Sequence, residues 1–126
     1  MGMLANAMTM LDMDLEELYD IPMDDPETLE AFRIADVVGI FQFEGRTTKM
    51  VCQEMAPTTF MDLAAVNALS RPGPLHSGST GDYLAVRKGK QNREDIHPLV
   101  AKICEFTEGQ IIYQEQILQI CGDIGK

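Results

Sequence analysis

Apolar residues recur at spacings of three and four along most of this chain, and prolines and glycines interrupt the pattern at short intervals. Such spacing places side chains on one face of an α-helix, whereas proline and glycine end or break helices. The chain is therefore expected to fold into a series of short helices. The first is predicted over residues 3–19, where the apolar stripe consists of Leu4, Met8, Leu11, Leu15 and Leu18.

Start and stop signals predict the remaining helices. Asp25 and Pro26 have the order of an N-cap followed by a proline at the first helical position, and Thr59 is placed to cap an Ala- and Leu-rich segment. Ser79 and Asp82 have the spacing of a capping box. Together these signals predict helices over residues 25–34, 45–55, 60–69, 79–88, 98–105 and 114–124.

Three segments lack the helical period. The run from Val37 to Phe43 is apolar and contains β-branched residues, and periodicity does not decide between a short strand and an extended buried segment. Gln110 to Tyr113 is a short β-like stretch, and the proline- and glycine-rich segment from Arg71 to Gly81 is predicted to be a loop. The fold class that follows is mainly α with one or two short strands.

The composition indicates one soluble domain. A chain of 126 residues with 45% hydrophobic residues can bury a core, but it is too short for two comfortable domains. No run approaches the ~18 apolar residues of a membrane span, and the apolar start lacks the basic residues of a signal peptide. We therefore expect a cytoplasmic protein with no membrane partner. The three cysteines are expected to be free buried thiols, without a zinc site.

The net charge of −10 is unevenly distributed. Residues 1–45 hold eleven acidic residues and one basic residue, Arg33, whereas residues 46–126 hold nine of each kind. We therefore divide the chain into an acidic helical lead-in, residues 1–45, and a second part, residues 46–126. Proteins that bind DNA phosphates on their own are usually basic, so this chain alone is expected to bind DNA weakly.

Two sequence patterns partly match those of phosphoryl-transfer sites, and both are incomplete. Asp12 and Asp14 form a carboxylate pair of the kind that holds magnesium, but the helical period around them points the two side chains apart, which favours a solvated helix face. The segment from Gly73 to Gly78 has the outline of a phosphate loop, but Ser79 stands where the lysine is required. Its backbone N–H groups can still form a generic anion site. The alternative is that its glycines and prolines serve only the geometry of a turn.

A small basic patch follows the helix predicted over residues 79–88; it consists of Arg87, Lys88, Lys90 and Arg93. These residues are suited to binding phosphate, or alternatively to complementing the dipole at the end of a helix. Glu115 has no histidine or second carboxylate placed beside it by the sequence, so it is not assigned as a general base. We assign no catalytic residue and no metal ligand to the chain.

Several motifs occur in order between Asp24 and Ile124. They include Gly39-Ile-Phe-Gln-Phe-Glu44, Ala68-Leu-Ser-Arg71-Pro-Gly-Pro-Leu75, Tyr83 followed by Arg87 and Lys88, and Tyr113-Gln-Glu-Gln116. This combination closely resembles the α subunit of bacterial DNA polymerase III, a replicative polymerase of the C family, and within it the DnaE-type branch. The resemblance implies a helical segment at the start of the fingers, with residues 1–45 leading in from the palm and residues 46–126 forming the N-terminal part of the fingers domain.

The same resemblance implies a division of labour. In this family the fingers position the incoming nucleotide and the template, and the palm supplies the carboxylates for nucleotidyl transfer. The chain does not reproduce those carboxylates, so we expect it to be inactive alone and to hold no cofactor, although its parent is a DNA-directed DNA polymerase that uses Mg²⁺. The implied partners are the remainder of the α subunit and, in the complete enzyme only, primer-template DNA and deoxynucleotides.

The site residues expected from the resemblance bind nucleotide or DNA in the complete enzyme: Arg71, Ser77, Gly78, Lys88, Tyr113 and Gln114. Arg71 has a second interpretation, as a structural residue that pairs with Asp62 or binds carbonyls at the end of the preceding helix. The function also has an alternative, a free-standing acidic helical module that binds a replication protein through its methionine-rich start.

Overall fold

The computed structural model describes residues 2–92 and 97–125, and these fold into nine α-helices and one 3-10 helix. The α-helices are α1 Gly2–Leu11, α2 Leu15–Tyr19, α3 Pro26–Arg33, α4 Arg46–Met55, α5 Phe60–Leu69, α6 Pro72–Ser77, α7 Ser79–Arg87, α8 Pro98–Ile103 and α9 Gln114–Ile124, with the 3-10 helix Glu105–Thr107 between α8 and α9. The mainly α class is confirmed. The one or two short strands were wrong, because the described residues contain none.

The two segments considered as strands have other structures. Between Val37 and Phe43 the backbone makes consecutive turns, in which the Ile40 N–H donates to the Val37 carbonyl at 3.2 Å and the Phe43 N–H donates to the Ile40 carbonyl at 3.0 Å. Residues 110–113 form neither a helix nor a strand, and two of their N–H groups donate to the side chain of Gln116. The first segment is only partly buried, since Val37 lies in the core whereas Val38 and Phe41 are exposed. An apolar run of this kind fits a turn as well as a strand, so the pattern alone misassigned both segments.

The single helix predicted over residues 3–19 is wrong, because the helix is interrupted between α1 and α2. Asp12 has a positive φ of 53°, a conformation that aspartate tolerates better than most residues. Asp14 then caps α2: its carboxylate accepts from the Glu17 N–H at 2.8 Å, and the Glu17 carboxylate accepts from the Asp14 N–H at 2.8 Å. The apolar spacing continues through the break, so periodicity does not reveal it.

The segment from Arg71 to Gly81, predicted as a loop, is mostly helical. Pro72 lies in the first turn of α6, where its missing N–H removes no helical hydrogen bond because the first N–H groups of a helix have no intrahelical partner. Gly78 ends α6 with a φ of 86° and occupies the N-cap position of α7. Because α7 begins at Ser79, the predicted capping box of Ser79 and Asp82 is not formed.

Other start signals are confirmed. The Asp25 carboxylate accepts from the Thr28 N–H at 2.7 Å, and Pro26 is the first residue of α3. At the start of α5 the Thr59 hydroxyl accepts from the Asp62 N–H at 3.3 Å, and the Asp62 carboxylate accepts from the Thr59 N–H at 3.0 Å, which is a capping box. Helices α4, α8 and α9 also lie within their predicted ranges.

The hydrophobic core is built mainly by α3, α4, α5 and α7. Val66 and Leu69 of α5 are fully buried, and the rest of the cluster is Leu29, Phe32, Val37, Val51, Cys52, Met55, Leu63, Ala65, Ala68, Tyr83, Leu84 and Ile112. The rings of Phe32 and Phe43 meet edge to face with centroids 4.9 Å apart, a geometry that aromatic pairs prefer. Residues on both sides of position 45 fill this core, and the division of the chain at that position stays a prediction.

Helix α1 contributes nothing to the core. None of its residues is buried, and Met3 and Met10 are each 88% exposed. Because its apolar side chains stay in contact with water, α1 gains no stabilisation from burial. Among the described helices, none has both the length and the apolar composition needed to cross a membrane.

The three cysteines differ in accessibility. Cys52 and Cys104 are buried, as predicted, but Cys121 on α9 is exposed, which corrects the expectation of three buried thiols. Burial raises the pKa of Cys52 to about 11. Burial also raises the pKa of Cys104, although a hydrogen bond with Thr107 opposes that effect. Since the thiolate is the reactive species, the two buried thiols react slowly for two reasons: reagents do not reach them, and their raised pKa keeps them protonated.

We therefore expect one thiol of the folded chain to react rapidly with a colorimetric disulfide reagent near pH 8, and the other two to react only as the chain unfolds. Replacing Cys121 by serine should abolish the rapid phase, whereas Cys52→Ser should leave it intact. A rapid phase that persists in the Cys121→Ser variant would contradict the burial of Cys52 and Cys104 described above.

Candidate functional site

Arg71 follows α5 and joins two distant segments of the chain. Its Nε donates to the carbonyl of Ala68, in the last turn of α5, at 3.0 Å, and its Nη2 donates to the carbonyl of Ile112 at 3.1 Å. These contacts agree with the second part of the structural interpretation, in which Arg71 binds carbonyls at the end of the preceding helix. The proposed pairing of Arg71 with Asp62 is replaced by an ion pair between Asp62 and Arg87. The two carbonyls use only part of the guanidinium, whose planar fork has five N–H donors.

The segment before α9 is held by a buried glutamine. The Gln116 Oε1 accepts from the N–H groups of Ile112 and Tyr113, each at 2.9 Å, while its Nε2 donates to the Thr107 hydroxyl at 2.7 Å. One amide side chain therefore satisfies backbone groups that have no strand partner. As a result, Tyr113 and Gln114 are presented at a fixed position at the start of α9.

Three cavities meet at Tyr113. The first, of about 410 Å³, is lined by Arg71, Gly73, Pro74, Ile111, Ile112, Tyr113, Gln114 and Ile117. A second, of about 450 Å³, shares Arg71 and Tyr113 with it, and a third, of about 290 Å³, shares only Tyr113. Burial raises the pKa of Tyr113, and the neighbouring Tyr83 and Asp62 add to the shift. The structure thus brings together Arg71, Tyr113 and Gln114.

Ser77 and Gly78 lie at the other end of α6 from Arg71. The Ser77 hydroxyl donates to the Pro74 carbonyl at 3.2 Å and lies 2.9 Å from the Ser79 hydroxyl. The Ser79 N–H donates to the Ser77 hydroxyl at 3.4 Å, so part of the predicted anion site is occupied by an internal contact. Neither Ser77 nor Gly78 lines the cavities at Tyr113, and their nucleotide role stays a prediction.

Two of the four residues of the basic patch are paired with acidic residues. Lys88 lies 3.1 Å from the Glu54 carboxylate on α4, and Arg87 lies 2.8 Å from Asp62 on α5. Lys90 is exposed, and Arg93 lies outside the described residues. Lys88 does not line the cavities at Tyr113, so the site residues expected from the resemblance are divided between separate surfaces.

Asp62 links the start of α5 to the end of α7. Its Oδ2 accepts from the N–H groups of Thr58 and Thr59, at 2.8 and 3.0 Å, and from the Thr58 hydroxyl at 3.1 Å, in addition to the ion pair with Arg87. Burial alone would raise the pKa of the Asp62 carboxyl. The Thr58 N–H, the charge of Arg87 and the remaining bonds outweigh burial, so the pKa lies below its ordinary value.

The described residues do not fit a magnesium site. No group of three or more histidine, cysteine, aspartate or glutamate side chains among them is arranged to hold a metal ion. Asp12 and Asp14 both lie in the short segment between α1 and α2, and the Asp14 carboxylate is engaged as a helix cap. The interpretation of these two aspartates as a metal-binding pair therefore receives no geometric support.

Sequence reasoning missed the role of the two polar residues that organise this region, because it assigned no role to Gln116 and considered Asp62 only as a partner of Arg71. Gln116 and Asp62 are only 2% and 7% exposed, and their partners include residues far away in the chain. For Asp62 the capping-box spacing from Thr59 was a usable signal. For Gln116 the sequence offered only polar side chains at the start of a helix, which do not distinguish the buried Gln116 from the exposed Gln114.

Comparison with known proteins identifies the family. The chain matches the model of the bacterial DNA polymerase III alpha subunit finger domain over residues 1–126. It is 38% identical to the error-prone DNA polymerase of Dechloromonas aromatica over 104 residues, which cover 82% of this chain and 10% of that polymerase.

Relatives named DNA polymerase III subunit alpha match the chain at 36–38% identity. The chain is 38% identical to the DNA polymerase III subunit alpha of Mycobacterium tuberculosis over 120 residues, which cover 92% of this chain and 10% of that subunit. It is 36% identical to the same subunit of Chlamydia trachomatis over 106 residues, which cover 84% of this chain and 8% of the subunit. The chain thus spans about a tenth of the length of these relatives, and the alternative of a free-standing interaction module gains no support. The chain belongs to the finger domain family of the bacterial DNA polymerase III alpha subunit.

Proposed function

We propose that this chain acts as the finger module of a replicative DNA polymerase α subunit, in which it positions the incoming deoxynucleotide and the template strand. The observation that carries the proposal is the cavity where Arg71, from the end of α5, meets Tyr113 and Gln114, from the start of α9. Among the described residues that line this cavity, Arg71 alone is charged. A guanidinium in a concave site presents a planar set of donors that suits a phosphate.

The catalytic chemistry is proposed to lie elsewhere in the α subunit. The described residues of this chain do not fit a metal site, and Mg²⁺ would be held by carboxylates of the palm. The partners of the chain are then the remainder of the α subunit, together with primer-template DNA and deoxynucleotides in the complete enzyme, in the cytoplasm. The chain contributes position and electrostatics, and we expect it to be inactive alone.

The test uses a chimera in which this chain replaces the matching residues of the Mycobacterium tuberculosis subunit alpha. We expect Arg71→Lys to slow single-turnover nucleotide incorporation at least about tenfold, because lysine provides a point charge without the planar fork. Gln114→Ala should slow incorporation with no change in the melting temperature, since Gln114 is exposed. Lys102→Ala, an exposed change on α8 that lies outside both the cavity and the basic patch, serves as the control.

The two bonds from Arg71 to carbonyls imply that Arg71→Lys also lowers the melting temperature. Rates are therefore compared per folded molecule, below the melting transition of each variant. If Arg71→Lys and Gln114→Ala both incorporate nucleotides at the rate of the Lys102→Ala control, the cavity does not position substrate, and Arg71 is only a scaffold residue.

A further inference from the structure

An open groove runs along one side of α5. Met61, Ala64 and Ala68 follow one another at spacings of three and four, which places them on the same side of the helix, and Arg71 lies two residues beyond its end. Two cavities lie along this face and share Ala64 and Tyr113. We call this surface the α5 trough; its lining residues are Gln42, Met61, Ala64, Asn67, Ala68, Arg71, Phe106, Tyr113, Glu115, Gln116 and Gln119. A helix of this length makes it about 15 Å long.

The α5 trough has an aromatic wall. The rings of Phe106 and Tyr113 are stacked, 8° from parallel, with centroids 6.1 Å apart. Phe106 is nevertheless 62% exposed, which keeps part of its surface available for contact. On the α5 side, Ala64 is partly exposed and has a small side chain, so a flat group has room to lie close to the helix.

Polar groups accompany the aromatic wall. The side chains of Gln42 and Asn67 are joined by a hydrogen bond of 3.0 Å between the Asn67 Nδ2 and the Gln42 Oε1, and Gln119 lies near the rings. Amide groups of this kind can both donate to and accept from base edges. Arg71 supplies a positive charge at the C-terminal end of α5. Stacking surfaces combined with a cationic group are the usual means of binding single-stranded nucleic acid.

We propose that the α5 trough binds unpaired bases of single-stranded DNA, with a base stacked on Phe106 and a neighbouring phosphate at Arg71. The proposal rests on the proposed function and adds to it a base-stacking site on Phe106 and Met61. The single carboxylate in the lining, Glu115, weakens phosphate binding, which agrees with the low affinity expected of this acidic chain. Binding therefore depends on the bases as well as on the backbone.

The experiment follows the methyl groups of the chain labelled with [methyl-¹³C]methionine during titration with a short oligothymidylate at about 50 mM salt, where phosphate contacts are strong. A matched oligomer of abasic residues carries the same phosphates without bases. Met61 in the trough and Met50 on α4 are 60% and 58% exposed, so Met50 is a matched internal control. Substitutions of each methionine by leucine assign the two signals.

We expect the Met61 signal to shift with oligothymidylate and the Met50 signal to stay in place. Phe106→Ala should weaken binding of oligothymidylate at least about fivefold, as loss of one stacked base implies, and should leave binding of the abasic strand unchanged. Phe41→Ala is the control, because Phe41 is 85% exposed and lies outside the trough.

Two outcomes would overturn the proposal, and they are distinguishable. If both strands bind equally and Phe106→Ala behaves as Phe41→Ala does, the trough does not stack bases, although the DNA contact of the proposed function survives. If neither strand shifts any methionine signal at millimolar concentration, the trough does not bind DNA, and the DNA-positioning role proposed for the chain is weakened as well.

Discussion

Replacing Asp62 by alanine is expected to lower the free energy of unfolding by about 3–5 kcal/mol, the effect of removing one partner from a buried ion pair. The substitution leaves the N–H groups of Thr58 and Thr59 and the Arg87 guanidinium without the acceptor that lies 2.8–3.0 Å from each of them. Arg87 is partly exposed, its side chain retaining 24% of its accessible surface, so water compensates in part and the lower end of the range is expected.

Urea unfolding followed by far-ultraviolet circular dichroism measures this effect, since the chain contains no tryptophan. Asp36→Ala, at an exposed aspartate, is the matched control and should change the free energy of unfolding by less than about 0.5 kcal/mol. Equal midpoints for the two variants would show that Asp62 does not hold α5 to α7.

The same carboxylate gives stability a defined dependence on pH. The pKa of Asp62 in the folded chain lies below its ordinary value, so the unfolded chain binds the proton more tightly. The contribution of Asp62 is therefore complete above about pH 4, the ordinary pKa of aspartate, and is lost as the pH falls through the folded-state value. In the Asp62→Asn variant the loss of stability below about pH 4 should be smaller than in the parent chain.

The second large effect is expected at Gln116. Gln116→Ala removes the acceptor for the Ile112 and Tyr113 N–H groups and the donor to the Thr107 hydroxyl. Leaving buried polar groups unpaired costs about 1–3 kcal/mol for each group that water does not reach, and a loss of about 3 kcal/mol or more is expected for the set.

Gln114→Ala, two residues earlier on the same helix and exposed, is the matched control and should alter stability by less than about 0.5 kcal/mol. Both variants are measured by the same urea titration. If Gln116→Ala is no more destabilising than Gln114→Ala, the amide does not hold residues 110–113, and Tyr113 is positioned by other contacts.

Local signals were sufficient for most of the helices. The caps at Asp25 and Thr59 act through residues three positions away, so they can be recognised in the sequence without knowledge of the fold. The same reasoning failed between Arg71 and Gly81, because a short helix with prolines in its first turn has the same amino-acid composition as a loop. The break at Asp12 was invisible for a related reason, since a single residue with positive φ does not disturb the apolar spacing.

The site required tertiary information that no local pattern contains. The resemblance to a polymerase family selected Arg71, Tyr113 and Gln114, but only the fold places them around one cavity. It also separates Lys88 and Ser77 from them. Gln116 binds Ile103, and Asp62 pairs with Arg87. The members of each pair lie far apart in the chain, so no local pattern predicts either contact. Phe106 had no sequence signal, because an exposed aromatic residue is recognisable only once burial is known.

Primer extension tests the central claim most directly, namely that this chain is a finger module which positions substrates for catalytic groups held elsewhere in the α subunit. The isolated chain, purified free of host polymerase, and the chimera with the Mycobacterium tuberculosis subunit alpha are compared on one primed template with Mg²⁺ and all four deoxynucleotides. We expect template-dependent extension by the chimera and none by the isolated chain. Extension by the isolated chain would contradict the account, because it would require a catalytic centre within this sequence.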